Sequence, residues 1–382
     1  MRKLPRSFQD ISYMVSKVGI SPIRGLLVWS FLAKKSSIPF LSKGVKLLVR
    51  KKIFFGKYVW IGQNSYIDAS CKKNVIFNNG VTIRENATIQ CRSGLNEIGD
   101  EGMKALAESK NLQSLTAIDL GWNRMGIEGV RAFVDSSNLK KLEILNLTGN
   151  KIRDEGVGML AESVNLNSLL ELGLNMNEVG DEGVTALANS LGLKHLTKIY
   201  LADNDIGSDG VKALADSANL HSLIELDLGG NRCGVEGAIA LANSPSLKKL
   251  KELKLNGNHI GKDGMRALSE SFTLMSLKIL DVSENGIGVE GTKALANSSS
   301  LKNIIELGVC RNGIGDEGLG VLVHSLNLKN LVKLYLTDNG IGYEGVRMLV
   351  DYSNLIHVTE LELSFNNIGY EGVRMLANSE NP

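Results

Sequence analysis

Leucines and small polar residues alternate along most of the chain with one fixed 27-residue period. In each period a short segment places leucine at alternate positions, as at Leu145 and Leu147, which predicts a strand with one buried face. A second segment of the Ala-Leu-Ala type, as at residues 186–188, predicts a helix whose small side chains allow close packing. One strand and one helix in every period predict an α/β repeat structure.

An asparagine follows every predicted strand and recurs once in each period without insertion. We expect its side-chain amide to satisfy backbone groups in its own loop and in the next coil, because buried turns need hydrogen-bond partners. Acidic residues such as Asp154 and Glu155 suit the positive end of a helix and predict its start. A glycine six residues after each asparagine predicts close approach of loop and helix. The recurrence begins at Asn96, and the predicted asparagine ladder consists of Asn123, Asn150, Asn177, Asn204, Asn231, Asn258, Asn285, Asn312, Asn339 and Asn366.

The motif LxxLxLxxN followed by a helix resembles the leucine-rich repeat. The repeat length and the signature I-G-D-E-G-x-x-x-L-A resemble the ribonuclease-inhibitor-like subclass, over residues 95–382. This resemblance implies a right-handed solenoid, a horseshoe of about eleven repeats, with parallel strands on the concave face and helices on the convex face. Because members of this family mostly bind other proteins, it also implies a non-enzymatic scaffold for a protein partner.

The candidate binding site consists of exposed strand positions that vary while the framework repeats. They lie four residues before an asparagine or directly before it, and a varied surface on a repeated frame is typical of binding. The alternative is that these side chains are only solvated. Exposed aromatic residues are the preferred anchors, because they offer large contact area at low entropic cost. We predict partner binding by Trp122, Asn146, Tyr200, Asp227, Lys254, Asp281, Arg311, Tyr335, Glu362 and Phe365, with Asp119, Gly173, Met176, Asp203, Glu284, Gly308 and Asp338 beside them.

Charge changes abruptly near residue 94. Residues 1–94 contain 17 Lys/Arg and 3 Asp/Glu, a net charge of +14, whereas the remainder has a net charge of −12. We therefore predict a boundary there and three domains, 1–52, 53–94 and 95–382. Residues 1–52 are expected to form a basic, partly apolar helical segment that packs on its own module or a second subunit. The alternative is weak contact with an anionic membrane surface.

Residues 53–94 show an aliphatic residue about every six positions, as at Ile61 and Ile67, followed by glycine or aspartate and small polar residues. This pattern, with the stretch from Gly56 to Ala69, resembles the first coils of a left-handed β-helix in hexapeptide-repeat O-acetyltransferases. The resemblance implies an acetyltransferase ancestry as the alternative function. Those enzymes use a histidine base, and residues 1–94 contain no histidine, so we expect the segment to be inactive.

No motif points to catalysis, to a bound metal or to a cofactor, and we predict none of the three. The four cysteines do not form CxxC pairs, and Cys233 occupies a position usually held by isoleucine, which predicts a buried, inert thiol. No nucleic-acid-binding motif accompanies the basic segment, so we predict no nucleic-acid partner. A cleavable signal peptide is not visible, and we expect a cytoplasmic protein, with export by another route or peripheral membrane attachment as alternatives.

Overall fold

A computed structural model of the chain describes residues 98–109, 112–352 and 354–379, with eight short strands between residues 40 and 90. Helices and strands alternate through these three ranges. The strands here are β9 Ala117–Asp119, β10 Ile144–Asn146, β11 Glu171–Gly173, β12 Lys198–Tyr200, β13 Glu225–Asp227, β14 Glu252–Lys254, β15 Ile279–Asp281, β16 Glu306–Gly308, β17 Lys333–Tyr335 and β18 Glu360–Glu362. The helices are α1 Gly99–Ala107, α2 Ile127–Val134, α3 Arg153–Glu162, α4 Asp181–Asn189, α5 Ser208–Asp216, α6 Gly234–Asn243, α7 Gly261–Ser269, α8 Gly288–Ala296, α9 Gly315–Val323, α10 Tyr343–Tyr352 and α11 Gly369–Ala377.

The chain divides into two compact units. The first comprises residues 1–152 and 162–173, and the second comprises residues 153–161 and 174–382. In the first unit β9, β10 and β11 pair in parallel, and in the second unit β12 to β18 pair in parallel, each with the next. Every step shifts the register by one period, so that Leu226 lies opposite Leu253. Each unit is therefore a parallel-strand repeat solenoid, as the sequence predicts.

The core of each coil lies between its strand and its helix. In one coil Leu226, Leu228 and Leu241 are at most 1% exposed, and the equivalent positions of the other inner coils are buried in the same way. Full burial of such a side chain stabilises the fold by about 1.5–3 kcal/mol. Alanines such as Ala215 and Ala242 are buried where successive helices pack together. The repeated leucines and alanines thus account for the packing of strand and helix.

The asparagine that follows each strand joins two coils through its side-chain amide. In the coil of Asn231, Nδ2 donates to the carbonyls of Leu201 and Leu228, both at 2.9 Å, and Oδ1 accepts from the N–H of Ile206 at 3.1 Å. Leu201 and Ile206 belong to the preceding coil. The same pattern recurs at Asn258, in the following coil. The amide therefore satisfies turn backbone that is buried away from water.

A buried serine joins successive coils beyond the helix. Ser217 Oγ donates to the carbonyl of Ala188 at 2.5 Å, and Ser244 Oγ donates to that of Ala215 at 2.6 Å. Each acceptor lies near the end of the preceding helix. The coils are thus hydrogen-bonded to one another after their helices as well as after their strands.

Four helices are capped by an aspartate from the preceding coil, and we call these Asp-capped starts. Asp154 Oδ1 accepts from the N–H of Gly180 at 2.6 Å and from that of Gly183 at 3.0 Å. Gly180 precedes α4 with an extended φ of −107° and has no side chain with which to cap that helix. Asp100, Asp181 and Asp316 accept in the same way from Gly126, Gly207 and Gly342. The aspartate therefore acts on the next helix as well as at the start of its own.

The other helix starts use a left-handed residue instead, and we call these left-handed starts. Three residues after the asparagine, φ is positive, and in six coils the N–H of this residue donates to the carbonyl of the next asparagine, as Gly261 does to Asn285 at 3.1 Å. The capping aspartate of an Asp-capped start lies four residues after the asparagine of the preceding coil. Wherever the coil that precedes a left-handed start is described, that position holds a residue other than aspartate. These starts are Gly99, Arg153, Gly234, Gly261, Gly288, Gly315 and Gly369.

Eight strands lie between residues 40 and 90: β1 Phe40–Leu41, β2 Lys46–Val49, β3 Ile53–Phe55, β4 Trp60–Ile61, β5 Tyr66–Ala69, β6 Val75–Phe77, β7 Thr82–Arg84 and β8 Thr88–Gln90. They pair in parallel as β1 with β4, β4 with β7, β2 with β5 and β3 with β6. Then β7 pairs antiparallel with β8, which pairs in parallel with β9. Successive strands from β1 to β6 therefore alternate among three sheets.

The strands contradict part of one prediction for the N-terminal segment and leave the other untested. The helical assignment of residues 1–52 is wrong for Phe40–Leu41 and Lys46–Val49, because these apolar segments pair in parallel with β4 and β5. The rest of that segment, including its expected membrane contact, lies outside the described residues. The side chains and loops that would define the hexapeptide pattern of residues 53–94 also lie outside them, so that assignment and the three domain boundaries stay predictions.

Candidate interaction surface

Each strand presents two side chains away from the core. The middle residue of a strand such as β14 is the buried leucine, Leu253, while Glu252 and Lys254 on either side of it are partly exposed. We define the strand face as the positions six, four and one residues before each asparagine. Parallel pairing in register aligns these positions into three columns within each unit. Neighbouring strands lie about 4.8 Å apart, so side chains of one column contact each other.

The column four residues before the asparagine contains acids and amides that hold the turn. Asp227 Oδ1 accepts from the N–H of Gly229 at 3.0 Å, and Asp281 Oδ1 accepts from that of Ser283 at 3.0 Å. Asn146 makes the equivalent bond in the first unit, where Asp119 is also buried. These predicted binding residues therefore also have a structural role. Lys254, Tyr200 and Tyr335 in the same column are half-buried, and Glu362 is exposed.

The column directly before the asparagine has left-handed backbone in every described coil. Three coils place glycine there, at residues 149, 230 and 257, but seven place a larger residue, with φ between 50° and 61°. Phe365 is 84% exposed and Trp122 is 47% exposed. The ring of Trp122 lies over the backbone of Gly149, where a Cβ would meet it at 2.5 Å. The seven are Trp122, Met176, Asp203, Glu284, Arg311, Asp338 and Phe365.

A column that sequence reasoning missed lies six residues before the asparagine. In the second unit this column is mostly charged, and its side chains lie on the same face as those two residues later. The signal is present in the sequence, because strand side chains alternate in direction with a period of two. The column from β12 to β18 contains Lys198, Glu225, Glu252, Ile279, Glu306, Lys333 and Glu360.

Ion pairs occur within and between the columns of the second unit. Lys254 Nζ lies 2.9 Å from Glu252 Oε1 on the same strand. Arg311 Nη1 lies 2.8 Å from Glu284 Oε1, and its Nε lies 3.5 Å from Asp338 Oδ2. These pairs are largely exposed and add little to stability, about 0–1 kcal/mol each. Their main effect is to fix the orientation of long side chains on the surface.

Acidic neighbours raise pKa values in the middle of this face. Burial raises the pKa of the Asp227 carboxyl. Asp281 and Glu252 raise it further, whereas the N–H of Gly229 and the Lys254 ammonium lower it. Burial lowers the pKa of Lys254, but its hydrogen bond to Glu252 and the charges of Asp227 and Asp281 outweigh burial and raise it. Burial thus makes Asp227 easier to protonate than a solvated carboxyl group, while Lys254 keeps its positive charge.

A second group of shifted pKa values lies at β16 to β18. The charges of Glu306 and Glu360 raise the pKa of Lys333. Desolvation, together with the hydrogen bond to Glu360 and the charge of Glu306, raises the pKa of the Tyr335 hydroxyl. Tyr335 is therefore a neutral hydrogen-bond donor at physiological pH, and its side chain is held against a carboxylate.

Other chemistry is sparse in the part of the chain that the structure describes. No group of three or more His, Cys, Asp or Glu side chains there could hold a metal ion. Cys233 is buried as predicted, and burial raises the pKa of its thiol to about 12, which keeps it protonated and unreactive. Cys310 is a half-buried free thiol. None of the described helices has the length and apolar character needed to cross a membrane.

Solved structures with similarity to this chain are repeat proteins of low sequence identity. An internalin (inlF) from Listeria monocytogenes is 21% identical and covers 74% of this chain and 92% of its own, with a TM-score of 0.41. The mouse RP105/MD-1 complex is 15% identical and covers 90% of this chain and 52% of its own, with a TM-score of 0.45. A TDR receptor is 20% identical and covers 69% of this chain and 45% of its own, with a TM-score of 0.40. The chain thus spans about half the length of the last two proteins.

Comparison with curated proteins gives no match. The family model described as "Leucine Rich repeat" matches ten segments that together cover more than half of the chain. They are residues 94–107, 111–134, 138–161, 165–188, 192–215, 219–242, 246–269, 273–296, 327–350 and 354–377. The coil between the eighth and ninth segments has the same strand, asparagine and helix, with β16, Asn312 and α9. The chain belongs to the leucine-rich repeat family.

Proposed function

We propose that this protein is a non-enzymatic scaffold that binds a protein partner on its strand face. Leucine-rich repeats typically serve protein–protein interaction, and their repeated framework presents varied side chains on one surface. The strand face offers exposed aromatic and charged side chains in fixed columns. We call the surface formed by the helices the helix face. Its helices place repeated alanine and leucine toward the core and solvated charges toward water, so it offers a partner less varied side chains.

The observation that supports this proposal best is the left-handed column. Glycine adopts positive φ without strain, whereas another residue costs about 1 kcal/mol or more there. Seven of ten described coils nevertheless hold a larger residue at this position, among them Trp122, Arg311 and Phe365. Since glycine would be more stable, a surface function explains why large side chains occupy these positions. Phe365, almost fully exposed, gains nothing from the core.

Pre-organisation of the strand face supports the same proposal. The tyrosine hydroxyls and long charged side chains already have partners on this face, so they lose little conformational freedom when a partner binds. Binding to a rigid surface avoids about 0.5–1.5 kcal/mol per immobilised side chain. The two tyrosines, Tyr200 and Tyr335, are therefore suitable hot spots.

A paired set of alanine variants tests the proposal. Proteins captured by the full chain from the source cells are identified, and the affinity of each purified partner is measured by calorimetry. Tyr200→Ala and Tyr335→Ala on the strand face should each cost about 2 kcal/mol, or roughly thirtyfold in affinity. The helix-face controls Lys212→Ala and Arg347→Ala should change it by less than about 0.5 kcal/mol. Loss at the controls, with none at the tyrosines, would mean that the partner uses the helix face.

We also propose the finer assignment to the ribonuclease-inhibitor-like subclass. Its support is the uniform repeat length and an α-helix of eight to ten residues in every described coil. A partner bound in the manner of that subclass would contact several successive strands. A crystal structure of the complex tests this, and contacts confined to one or two coils would count against it.

For residues 53–94 we propose a catalytically inactive remnant of a hexapeptide β-helix. The parallel pairing of strands in three sheets favours it, although the step from Phe40 to its partner Trp60, or from Ile53 to Val75, is longer than three six-residue units. Without a histidine in the segment, an acetyl-CoA hydrolysis assay with the full chain should show no turnover above background. Reproducible turnover would restore acetyl transfer as the function.

A further inference from the structure

We propose that the strand face of the second unit holds two equivalent anchors for one elongated, cationic partner. The inference rests on the proposed function and specifies the chemistry of the partner. It comes from a group of three side chains that occurs twice in the structure, five coils apart, and from the charge of the surface between the two copies.

The first anchor joins β12 and β13 through a single glutamate. Lys198 Nζ lies 2.7 Å from Glu225 Oε1, and the Tyr200 hydroxyl donates to Glu225 Oε2 at 2.8 Å. The lysine and the tyrosine are the first and third residues of β12, and the glutamate is the first residue of β13. The two carboxylate oxygens are thus shared between the ammonium and the hydroxyl, which holds the tyrosine ring in place.

The second anchor repeats this arrangement on β17 and β18. Lys333 Nζ lies 3.5 Å from Glu360 Oε2 and 3.4 Å from Glu306 Oε2 on the preceding strand. The Tyr335 hydroxyl donates to Glu360 Oε1 at 3.0 Å. The lysine and tyrosine are again the first and third residues of their strand, and the glutamate again begins the next. Five strand spacings of about 4.8 Å place the two anchors roughly 24 Å apart along the sheet.

Every cation on the strand face from β12 to β18 already has a carboxylate partner. The three columns contain ten carboxylates and four cations, a net charge of −6. Each cation lies within 4 Å of at least one carboxylate, and four carboxylates form no such ion pair among the described residues. The cations are Lys198, Lys254, Arg311 and Lys333, and the four carboxylates are Asp203, Asp227, Asp281 and Glu362.

This imbalance favours a cationic partner. An anion would have to displace a carboxylate from an existing ion pair, whereas a lysine or arginine would find carboxylates that form no ion pair within the described ranges. Two of them lie opposite the anchor tyrosines in the strand register, Asp227 opposite Tyr200 and Glu362 opposite Tyr335. Each anchor also presents a tyrosine ring, and the face of an aromatic ring attracts a cation.

Two like anchors at a fixed distance favour a partner that reaches both. A ligand bound at one anchor brings its remainder to an effective concentration in the millimolar range at the other, provided that it can span about 24 Å. An extended chain covers at most about 3.5 Å per residue, so at least about seven residues must separate the two cationic groups. Reach, as well as charge, should therefore determine affinity.

Two peptides of equal charge test this with the full chain. Each carries two Arg-Arg pairs, joined by either two or eight Gly/Ser residues, which span about 10 Å or about 30 Å. Fluorescence anisotropy at low ionic strength measures binding, because salt screens such contacts. The long peptide should bind at least tenfold more tightly than the short one. Glu225→Gln or Glu360→Gln should each abolish this difference, since one anchor is then lost.

The matched controls are Glu182→Gln and Glu236→Gln, exposed residues in the first turns of α4 and α6, which change charge equally on the helix face. They should preserve the tenfold difference. Urea midpoints check that every variant folds like the wild type. A glutamate version of the long peptide should not bind.

Equal affinity of the two arginine peptides would overturn the proposal. So would a difference between the long and short peptides that persists in both anchor variants, and so would tight binding of the glutamate peptide. If Tyr200→Ala still weakens a captured protein in that case, the proposed function stands and only the two-anchor inference fails. Sedimentation at low salt tests another occupant. Self-association that disappears in the Glu225→Gln/Glu360→Gln variant would identify a second copy of this chain and overturn a separate partner.

Discussion

The Asp-capped and left-handed starts solve the same problem in different ways. Every helix leaves its first N–H groups without partners inside the helix. At α4, Asp154 from the preceding coil accepts two of them, and Gly180 remains extended. At α7, no such aspartate precedes, and Gly261 turns left-handed and donates to the next asparagine instead. The presence or absence of one side chain therefore decides the backbone conformation at the start of the next helix.

The comparison also explains the glycine six residues after each asparagine. In an Asp-capped start the aspartate occupies the space where a Cβ would be, as at Gly183, where Asp154 Oδ1 would lie 2.6 Å away. In a left-handed start that oxygen is absent, and a Cβ at Gly237 would first meet Cys233 Cβ at 3.1 Å. At five other left-handed starts an isoleucine takes the place of Cys233, and a Cβ on the glycine would come within 2.5–2.9 Å of it, as at Gly291 beside Ile287. The glycine is thus required in both kinds of coil, and its surroundings are looser beside Cys233.

The largest expected effect is loss of an asparagine, which both kinds of coil share. Asn231→Ala should destabilise the protein by about 3 kcal/mol, because it leaves the buried N–H of Ile206 without an acceptor and removes one of the two amide donors to each of the carbonyls of Leu201 and Leu228. Asn204→Ala should cost about 1 kcal/mol more, because Oδ1 of Asn204 accepts from two buried N–H groups, those of Asn177 and Val179, and the Asp-capped start of its coil should not change this. Urea denaturation measures both, with exposed Asn243→Ala as the control. A clearly smaller cost for Asn204→Ala would show that the ladder depends on the kind of start.

The second effect compares an Asp-capped start with the left-handed start beside Cys233. Gly183→Ala should cost about 2 kcal/mol, since its Cβ would overlap Asp154 Oδ1 and disturb the cap. Gly237→Ala should be nearly neutral, because alanine favours the helix and its contacts are looser. Adding Asp154→Ala should relieve part of the cost of Gly183→Ala, since Asp154 Cα and Val179 Cγ1 would still lie 3.0 Å from the new Cβ. A double-mutant cycle measures this coupling. Additive effects of the two substitutions would exclude the aspartate as the cause.

How much of this could be predicted from the sequence depends on the scale of the pattern. The repeat, the buried leucines and the strand and helix of each coil follow from spacing within a single repeat, and the structure confirms them. The role of Asp154 could not be found in the same way. Its Oδ1 accepts hydrogen bonds from N–H groups of the next coil, whereas its place in the sequence, at the start of its own helix, is equally suitable for an acid that stabilises that helix. Sequence reasoning within one coil assigned it to the nearer helix end.

The candidate surface shows the same division. Alternation within a strand predicts which positions are exposed. The same alternation places the first strand residues, among them Glu225 and Glu360, on the exposed face. It cannot predict that Asp227 accepts from the backbone two residues later, because an aspartate after a strand can face solvent or cap a turn. The pairing of each tyrosine with a glutamate on the next strand depends on register between strands, which no single repeat contains.

A third, smaller effect isolates backbone strain at the two starts. Gly261→Ala places a Cβ in open space at a φ of +58°, so its expected cost of about 1 kcal/mol comes from the left-handed backbone alone. Gly180→Ala has extended backbone and should cost less than about 0.5 kcal/mol, with Asp154 Oδ2 shifting slightly from 3.1 Å. Arg153, with a φ of +57°, shows that the fold tolerates a larger residue at a left-handed start. Thermal denaturation compares the two variants, and equal costs would mean that the starts do not differ in strain.

The smallest effect should come from converting one kind of start into the other. Ser208 occupies the position at which Asp154 and Asp181 cap the next helix, so Ser208→Asp should offer a carboxylate to the N–H groups of Gly234 and Gly237. Because Gly234 can change from a φ of +62° to an extended φ without strain, we expect a gain of about 0.5–1 kcal/mol in the free energy of unfolding. Slower hydrogen exchange at the Gly237 amide should accompany it. Ser208→Glu brings the same charge near the helix end on a side chain one methylene longer, which misplaces the carboxylate. Equal stabilisation by glutamate would show that charge alone acts there, and that capping geometry does not distinguish the two kinds of coil.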